Sequence, residues 1–173
     1  NCNIQVCGIE SALLKNNHFD VVIGNVPFGD YKVYDPKFKK ENFMIHDYFF
    51  AKALDLCAPG GVICFVTSKG TLDKKNGAVR KYISERAEFL GAIRLPNTTF
   101  KNSANTEVTS DIIFLKKKET MTIEPQEFET VEMNADGIPI NSYYITHPEM
   151  MLGKMEVDTK RFGPDRALSY LSA

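Results

Sequence analysis

The sequence predicts an α/β fold: an open, mostly parallel sheet with one antiparallel strand near its C-terminal edge. Three observations lead there. Compact β-branched runs alternate with segments of helical periodicity, which implies βαβ units with helices packed on a sheet. The run Asp20 to Gly24 (DVVIG) reads as a strand buried on both faces, as parallel strands are. The last two strands, Gly91 to Leu95 and Ser110 to Leu115, are joined by a polar, Asn/Thr-rich stretch without a helical crossover, so they pair antiparallel.

Each element follows from its own pattern. Ile4 to Ile9 alternates apolar and small residues and reads as a short strand, with Glu10 just past its end. Asp20 to Gly24 leads into Asn25-Val26-Pro27-Phe28-Gly29, a loop because Pro27 cannot donate to a ladder. Residues 30–43 are polar and aromatic without a period, hence an irregular loop. His46 to Cys57 is a helix: Phe49, Phe50, Ala53, Leu54 and Cys57 recur at helical spacing, and Asp47 suits the positive end of the dipole. Pro59-Gly60-Gly61 stops it. Val62 to Val66 is a buried strand, Val79 to Phe89 a helix with Val79, Ile83, Arg86-Ala87 and Leu90 marking one face, and Gly91 to Leu95 a strand. Ser110 to Leu115 ends in three lysines. Beyond Glu119 the chain is acidic and loop-like to residue 140, apolar again over 141–155, and a charged tail with a short helical end over 156–173. Two regions follow, 1–118 and an extension at 119–173.

Composition narrows the partners. The chain has 173 residues, 43% apolar and 25% charged, enough for one real core. A net charge of −1 gives no global positive field, so binding to nucleic acid would need a local basic rim. Candidates are Lys37, Lys39 and Lys40; Lys74, Lys75, Arg80 and Lys81; and Lys116 to Lys118, each of which also reads as a solvated face. Cys2, Cys7, Cys57 and Cys64 form no CxxC pair, and Cys7 and Cys64 sit in apolar, strand-like runs, so disulfides and zinc are not expected and a reducing cytosol fits. No apolar run approaches the ~20 residues that span a membrane, and a signal peptide is not expected. The start at Asn1 rather than Met points to a piece of a longer polypeptide.

Phe19 to Gly29 (FDVVIGNVPFG) carries the chemistry. A buried parallel strand delivers its C-terminal end to the ligand-bearing edge of an α/β sheet. Placed there are an uncharged amide (Asn25), a Pro-stiffened loop and an aromatic (Phe28). An amide offers fixed donors and an acceptor, and a phenyl ring offers a stacking surface, a combination suited to a planar, amino-bearing ring. The plain alternative is a turn after a strand, where Asn, Pro and Gly are common.

Asn25-Val26-Pro27-Phe28 resembles the (N/D)-P-P-(Y/F) motif of amino-group methyltransferases, with Val in place of the first Pro. Residues 45–74, 79–100 and 106–117 resemble successive blocks of bacterial N6-adenine DNA methylases. The likeness is strongest to the large methylase–helicase fusion proteins of phages and conjugative elements, in which NVPFG is the usual form. Residues 140–155 resemble a segment of the same subfamily, so the likeness covers about the first 155 residues.

This resemblance implies a partial Rossmann-like class I methyltransferase sheet and methyl transfer from S-adenosylmethionine to the exocyclic N6 amine of adenine in DNA. The Asn25 oxygen and the Val26 carbonyl accept the amine's hydrogens, Pro27 shapes the loop, and Phe28 stacks on a flipped base, with Gly29 beside it. Glu10 and Asn25 are the cofactor-facing positions, and His46 and Lys69 are substrate-facing. For Glu10 a solvated carboxylate, for His46 and Asp47 a helix cap, and for Lys69 an exposed side chain are the plain alternatives. His147-Pro148-Glu149 matches the subfamily without a mechanism. No metal is required. The Gly-rich cofactor turn is expected upstream of Asn1, so weak or absent S-adenosylmethionine binding and an inactive fragment are expected. The implied partners are DNA and a helicase domain in the same chain, in a bacterial or phage-infected cytoplasm, with no membrane. A sheet cut in this way leaves a face or edge open, which invites a homodimer. An RNA or protein-glutamine methyltransferase, or a non-catalytic nucleic-acid-binding module, are the rival readings.

Overall fold

A computed structural model describes residues 2, 4–158 and 168–172. Among them, β1 (Phe19–Asn25), β2 (Cys57–Ser68), β3 (Ala87–Leu95) and β4 (Ser110–Lys117) form the main sheet in the order β1-β2-β4-β3. β1 and β2 run parallel, and β4 is antiparallel to both its neighbours. Three strands thus share one direction, and the single reversed strand lies one place in from an edge. The α/β sheet and the antiparallel pairing of the last two strands agree with the sequence reading.

Helix α1 (Ile45–Leu56) packs against β1, β2 and helix α3 (Ala78–Arg86), which in turn packs on β3. This side of the sheet is the core. Ile63, Phe65, Ile113 and Leu115 are buried on it, and Phe50 of α1 meets Phe65 edge-on at 5.2 Å. Each such side chain contributes about 1.5–3 kcal/mol by leaving water.

The opposite face is open. Val21 is 61% and Ile23 75% exposed, whereas the intervening Val22 is half-buried. The expectation of a strand buried on both faces is therefore corrected: among the described residues the helices cover one face, and β1 is an edge strand. Ile4 to Ile9 forms no strand either. Gln5 instead exchanges side-chain hydrogen bonds with the backbone of Leu13, closing the segment into a loop. Cys7 is accordingly exposed rather than placed in a strand; Cys64 lies half-buried in β2. Asn1 lies outside the described residues.

Two boundaries shift for physical reasons. The α3 helix ends at Arg86, three residues before Phe89, because Gln126 bonds the backbone of the emerging strand: its amide donates to Ser84 O and Ala87 O and accepts from Phe89 N–H. Leu90, expected on the helix, falls in a bulge of β3 and is half exposed. β2 begins at once after α1, with Pro59 and Gly60 accommodated in an irregularity of its pairing with β1. Short helices α2 (Gly70–Asp73) and α4 (Lys101–Ala104) follow β2 and β3.

The extension is more ordered than its composition implies. A 3-10 turn at Glu127–Glu129, a hairpin of β5 (Val131–Met133) and β6 (Pro139–Asn141), and helix α5 (Ser142–Thr146) place Phe128, Ile140 and Tyr144 in the same core as Ile113. The helical end expected for the tail is corrected: β7 (Lys154–Asp158) pairs antiparallel with β8 (Leu168–Ser172), and Met155 and Leu171 are buried. The rest of the expected tail, 159–167, lies outside the described residues. Among the described residues no helix is long and apolar enough to cross a membrane.

Candidate active site

The carboxyl end of β1 positions the central motif. Asn25 stands opposite Val66 of β2, and the Val26 N–H donates to the Val66 carbonyl at 2.9 Å. Strand alternation does the rest: the Val26 side chain enters the core, and the Asn25 side chain faces solvent. Pro27 is half-buried and Phe28 is 42% exposed, so an exposed amide and a partly exposed ring lie three positions apart on an anchored loop. Gly29 follows them.

The same loop is tied to the start of α1, where Ile45 N–H donates to the Tyr31 carbonyl at 2.9 Å. This brings His46 and Asp47 to the site's flank. Neither side chain caps the helix; Met44 holds the N-cap without a side-chain bond. Asp47 is buried, with Lys74 paired to one oxygen and His46 Nε2 at 3.5 Å from the other. That second oxygen, Oδ1, accepts no hydrogen bond among the described residues. Burial lowers the His46 pKa and Lys74 lowers it further, against the opposing pull of Asp47 and Asp30.

Lys69 follows the end of β2, with its N–H bonded to the Thr109 carbonyl at 3.1 Å. Its ammonium belongs to a cluster that the sequence reading missed. Arg94, fully buried at the end of β3, bonds both oxygens of Asp111 (2.8 and 2.9 Å) and both oxygens of Asp73 (2.7 and 2.9 Å). The Tyr144 hydroxyl donates to Asp111 at 2.9 Å, and its ring lies 4.3 Å from the guanidinium carbon. Burial works against the charge on Arg94, but Asp111 and Asp73 outweigh it and hold the guanidinium well above its ordinary pKa. Burial lowers the Lys69 pKa, with Asp73 opposing. The available signal was a lone charge inside each apolar strand, Arg in GAIRL and Asp in SDIIF.

Not every expected residue joins the site. Glu10 lies exposed in a turn rather than at a strand end. His147 is remote in sequence and packs on Tyr143, beside Glu127 and Glu149. Among the described residues no strand of the main sheet ends in a Gly-rich turn: Gly60 and Gly61 lie at the start of β2, the end of the sheet away from Asn25. An exposed amide and a partly exposed ring can accept hydrogen bonds and offer a stacking surface.

Comparisons with known proteins agree with this fold. Residues 3–100 match the model of the Eco57I restriction-modification methylase family. The chain is 32% identical over 167 residues to the defense against restriction protein B of Escherichia phage P1, covering 92% of this chain and 7% of that protein. A Listeria monocytogenes protein assigned to the class I S-adenosylmethionine-dependent methyltransferases superposes with a TM-score of 0.50 at 25% identity, over 69% of this chain and 37% of that one. A modification subunit assigned to a type I restriction enzyme of Vibrio vulnificus YJ016 shares the fold with a TM-score of 0.50 at 13% identity, over 73% and 37%. The chain thus spans a small part of the curated relative and about a third of these solved proteins. With its sheet resembling class I methyltransferases and more than half its length matched, the chain belongs to the Eco57I restriction-modification methylase family.

Proposed function

We propose that this chain carries the base-binding face of a DNA adenine-N6 methyltransferase. The observation that carries the reading is the opposite orientation of two neighbours: Val26 is locked into the core and bonded to Val66, while Asn25 presents its amide outward beside the exposed Phe28. The adenine amine is a poor nucleophile because its lone pair is delocalised into the ring. Asn25 Oδ1 and the Val26 carbonyl accept its two hydrogens at tetrahedral directions and stabilise the positive charge that grows on nitrogen. Phe28 stacks on the extruded base, with Gly29 next to it in the loop, and offsets part of the few kcal/mol spent on flipping. Pro27 restricts the loop, so the acceptors are held before the amine arrives. His46, in the first turn of α1, and Lys69, just past the end of β2, are the DNA-facing positions in this reading.

S-adenosylmethionine, when bound, supplies the electrophilic methyl. Asn25 is the residue of this chain that borders it in this reading, since Glu10 does not join the site, and one residue is too little for tight binding, so affinity of the isolated chain is proposed to be weak or absent. The division into a catalytic part at 1–118 and an extension at 119–173, a helicase domain in the same polypeptide, and work in a bacterial or phage-infected cytoplasm belong to the same reading. Self-association through the free edge of β1, supported by exposed Val21 and Ile23, is its remaining partner.

The test is transfer of labelled methyl from S-adenosylmethionine to DNA by the full-length protein, with the modified base identified by mass spectrometry. N6-methyladenine is expected. Asn25→Ala is expected to abolish it without altering the melting temperature, since the side chain is exposed. Unchanged turnover by that variant rejects the assignment. Methylation of RNA or protein in place of DNA selects a rival substrate, and no methylation with retained DNA binding selects the non-catalytic module.

A further inference from the structure

The segment 30–43 follows the motif directly and folds around a cavity of about 230 Å3. Its lining is aromatic and charged at once. Tyr34, Phe38, Phe43 and Tyr48 contribute rings, and Lys32 and Lys39 contribute exposed ammonium groups. Tyr34 is 75% exposed, although Phe38, Phe43 and Tyr48 are buried. Phe38 packs edge-on against Tyr48 at 5.6 Å.

A carboxylate is fixed in the same lining. Asp35 accepts hydrogen bonds from Tyr48 OH (2.9 Å), Lys37 N–H (3.0 Å) and Lys52 (3.4 Å). Burial works to raise its pKa, but these bonds and the charge of Lys52 outweigh it and hold the group below the usual carboxylate range. Two of those bonds fall on Oδ2 and one on Oδ1, so a lone-pair direction of Oδ1 remains for a ligand. Lys32 is oriented by Asn42, whose Oδ1 accepts its ammonium at 2.8 Å.

Few ligands satisfy all three features. A free anion meets the lysines but is repelled by Asp35. An aliphatic amine meets Asp35 and leaves the lysines and rings unused. A nucleotide meets each: a flat base for the exposed Tyr34 ring at the apolar lining, an exocyclic amine or ring N–H for Asp35, and a phosphate for Lys32 and Lys39. Tyr34 lies only six positions after Phe28, a reach of at most about 20 Å, which a few nucleotides of one strand span.

We propose that this cavity holds one unpaired nucleotide of the DNA strand that carries the target adenine, as a second base site beside the Asn25–Phe28 loop. The inference rests on the reading of the substrate as DNA. It assigns to segment 30–43 the task of keeping the strand open next to the extruded base.

Photocrosslinking with the full-length protein tests it. A single-stranded oligonucleotide substituted with 5-iodouracil is irradiated with the protein, and crosslinked peptides are mapped by mass spectrometry. Crosslinks within 30–43, lost in Tyr34→Ala, are expected. Tyr34→Ala is expected to weaken oligonucleotide binding by roughly 5- to 150-fold, the range for one stacked base. Lys32→Gln combined with Lys39→Gln is expected to reduce the slope of log affinity against log salt by about 0.7, the value for the one single-strand phosphate the two lysines share. Oligonucleotide bound and crosslinked only outside 30–43, with Tyr34→Ala binding as the parent does, overturns the inference; DNA methylation by the same preparation would leave the proposed function standing. Adenosine monophosphate that fills the cavity while oligonucleotides never crosslink there overturns the strand assignment in favour of a free nucleotide. Failure both to bind and to methylate DNA overturns the two readings together.

Discussion

Arg94 closes on Asp73 through two parallel hydrogen bonds, 2.7 Å from Nη1 to Oδ2 and 2.9 Å from Nη2 to Oδ1, with the guanidinium fully out of water. Its other edge serves Asp111 in the same way. One cation therefore ties α2 to the facing ends of β3 and β4, at the same end of the sheet as Asn25.

That arrangement makes Arg94 hard to replace. Arg94→Ala leaves two buried carboxylates without their cation, and breaking a buried pair in this way costs about 3–5 kcal/mol. Arg94→Lys is expected to recover little, because an ammonium cannot present four donors in one plane. Urea titration of both variants checks this. A loss below 1 kcal/mol for Arg94→Ala would mean that the cluster is not what holds the edge together.

Phe28 separates stacking from folding. Its ring is partly exposed, so Phe28→Ala should leave the melting temperature unchanged within a degree or two while lowering kcat/KM by roughly 5- to 150-fold, equivalent to about 1–3 kcal/mol per stacked base. Phe28→Tyr should retain most activity. Phe28→Asp should fall further than Phe28→Ala, since it adds a charge beside the base and a negative field toward phosphate. Equal effects of Ala and Asp would speak against stacking.

The sequence showed Asn25 and Phe28 because a β-branched run followed by Asn-x-Pro-Phe-Gly marks where a strand stops and what it presents there. It showed the antiparallel return of β4 because 96–109 holds no helix longer than the single turn α4. It did not show the Arg94 cluster, because partners drawn from α2, β4 and α5 are scattered over residues 73 to 144 and meet only in three dimensions. The strand expected at Ile4 to Ile9 failed for a related reason. Alternation says which faces a strand would show, not whether a neighbour is there to pair with it. The tail failed differently: Leu168 to Ser172 is short enough to suit helix or strand, and pairing with Lys154–Asp158 decides the matter.

His46 gives a pH dependence with a definite sign. Burial holds its pKa below the ordinary value near about 6.5, with Lys74 adding to the shift and Asp47 and Asp30 opposing it. The unfolded chain therefore takes up the proton first as pH falls. The stability tied to neutral His46 is complete above about pH 6.5 and is lost as pH falls through the folded value. His46→Gln should flatten the decline of the urea midpoint between about pH 6.5 and 5, a window above most carboxylate titrations. A parent midpoint that rises over this window, or a decline that His46→Gln leaves unchanged, would remove His46 from the account.

Phe128 tests whether the extension is part of the same cooperative unit as the sheet. Its ring is fully buried and stacks on Phe89 of β3 with centroids 4.4 Å apart and planes 12° from parallel, while Tyr143 meets Phe89 edge-on at 5.0 Å. Two residues earlier, Gln126 bonds the backbone where α3 becomes β3. Phe128→Ala should therefore cost about 3–5 kcal/mol, the range for deleting a buried phenyl ring. The loss should appear as one shifted transition in both helix and aromatic signals, because the cavity opens against β3 itself. Hydrogen exchange at the Phe89 amide should accelerate with the global unfolding rate. An early, separate melting of the extension with the sheet signals unmoved would instead mean that 119–173 folds onto the sheet without supporting it.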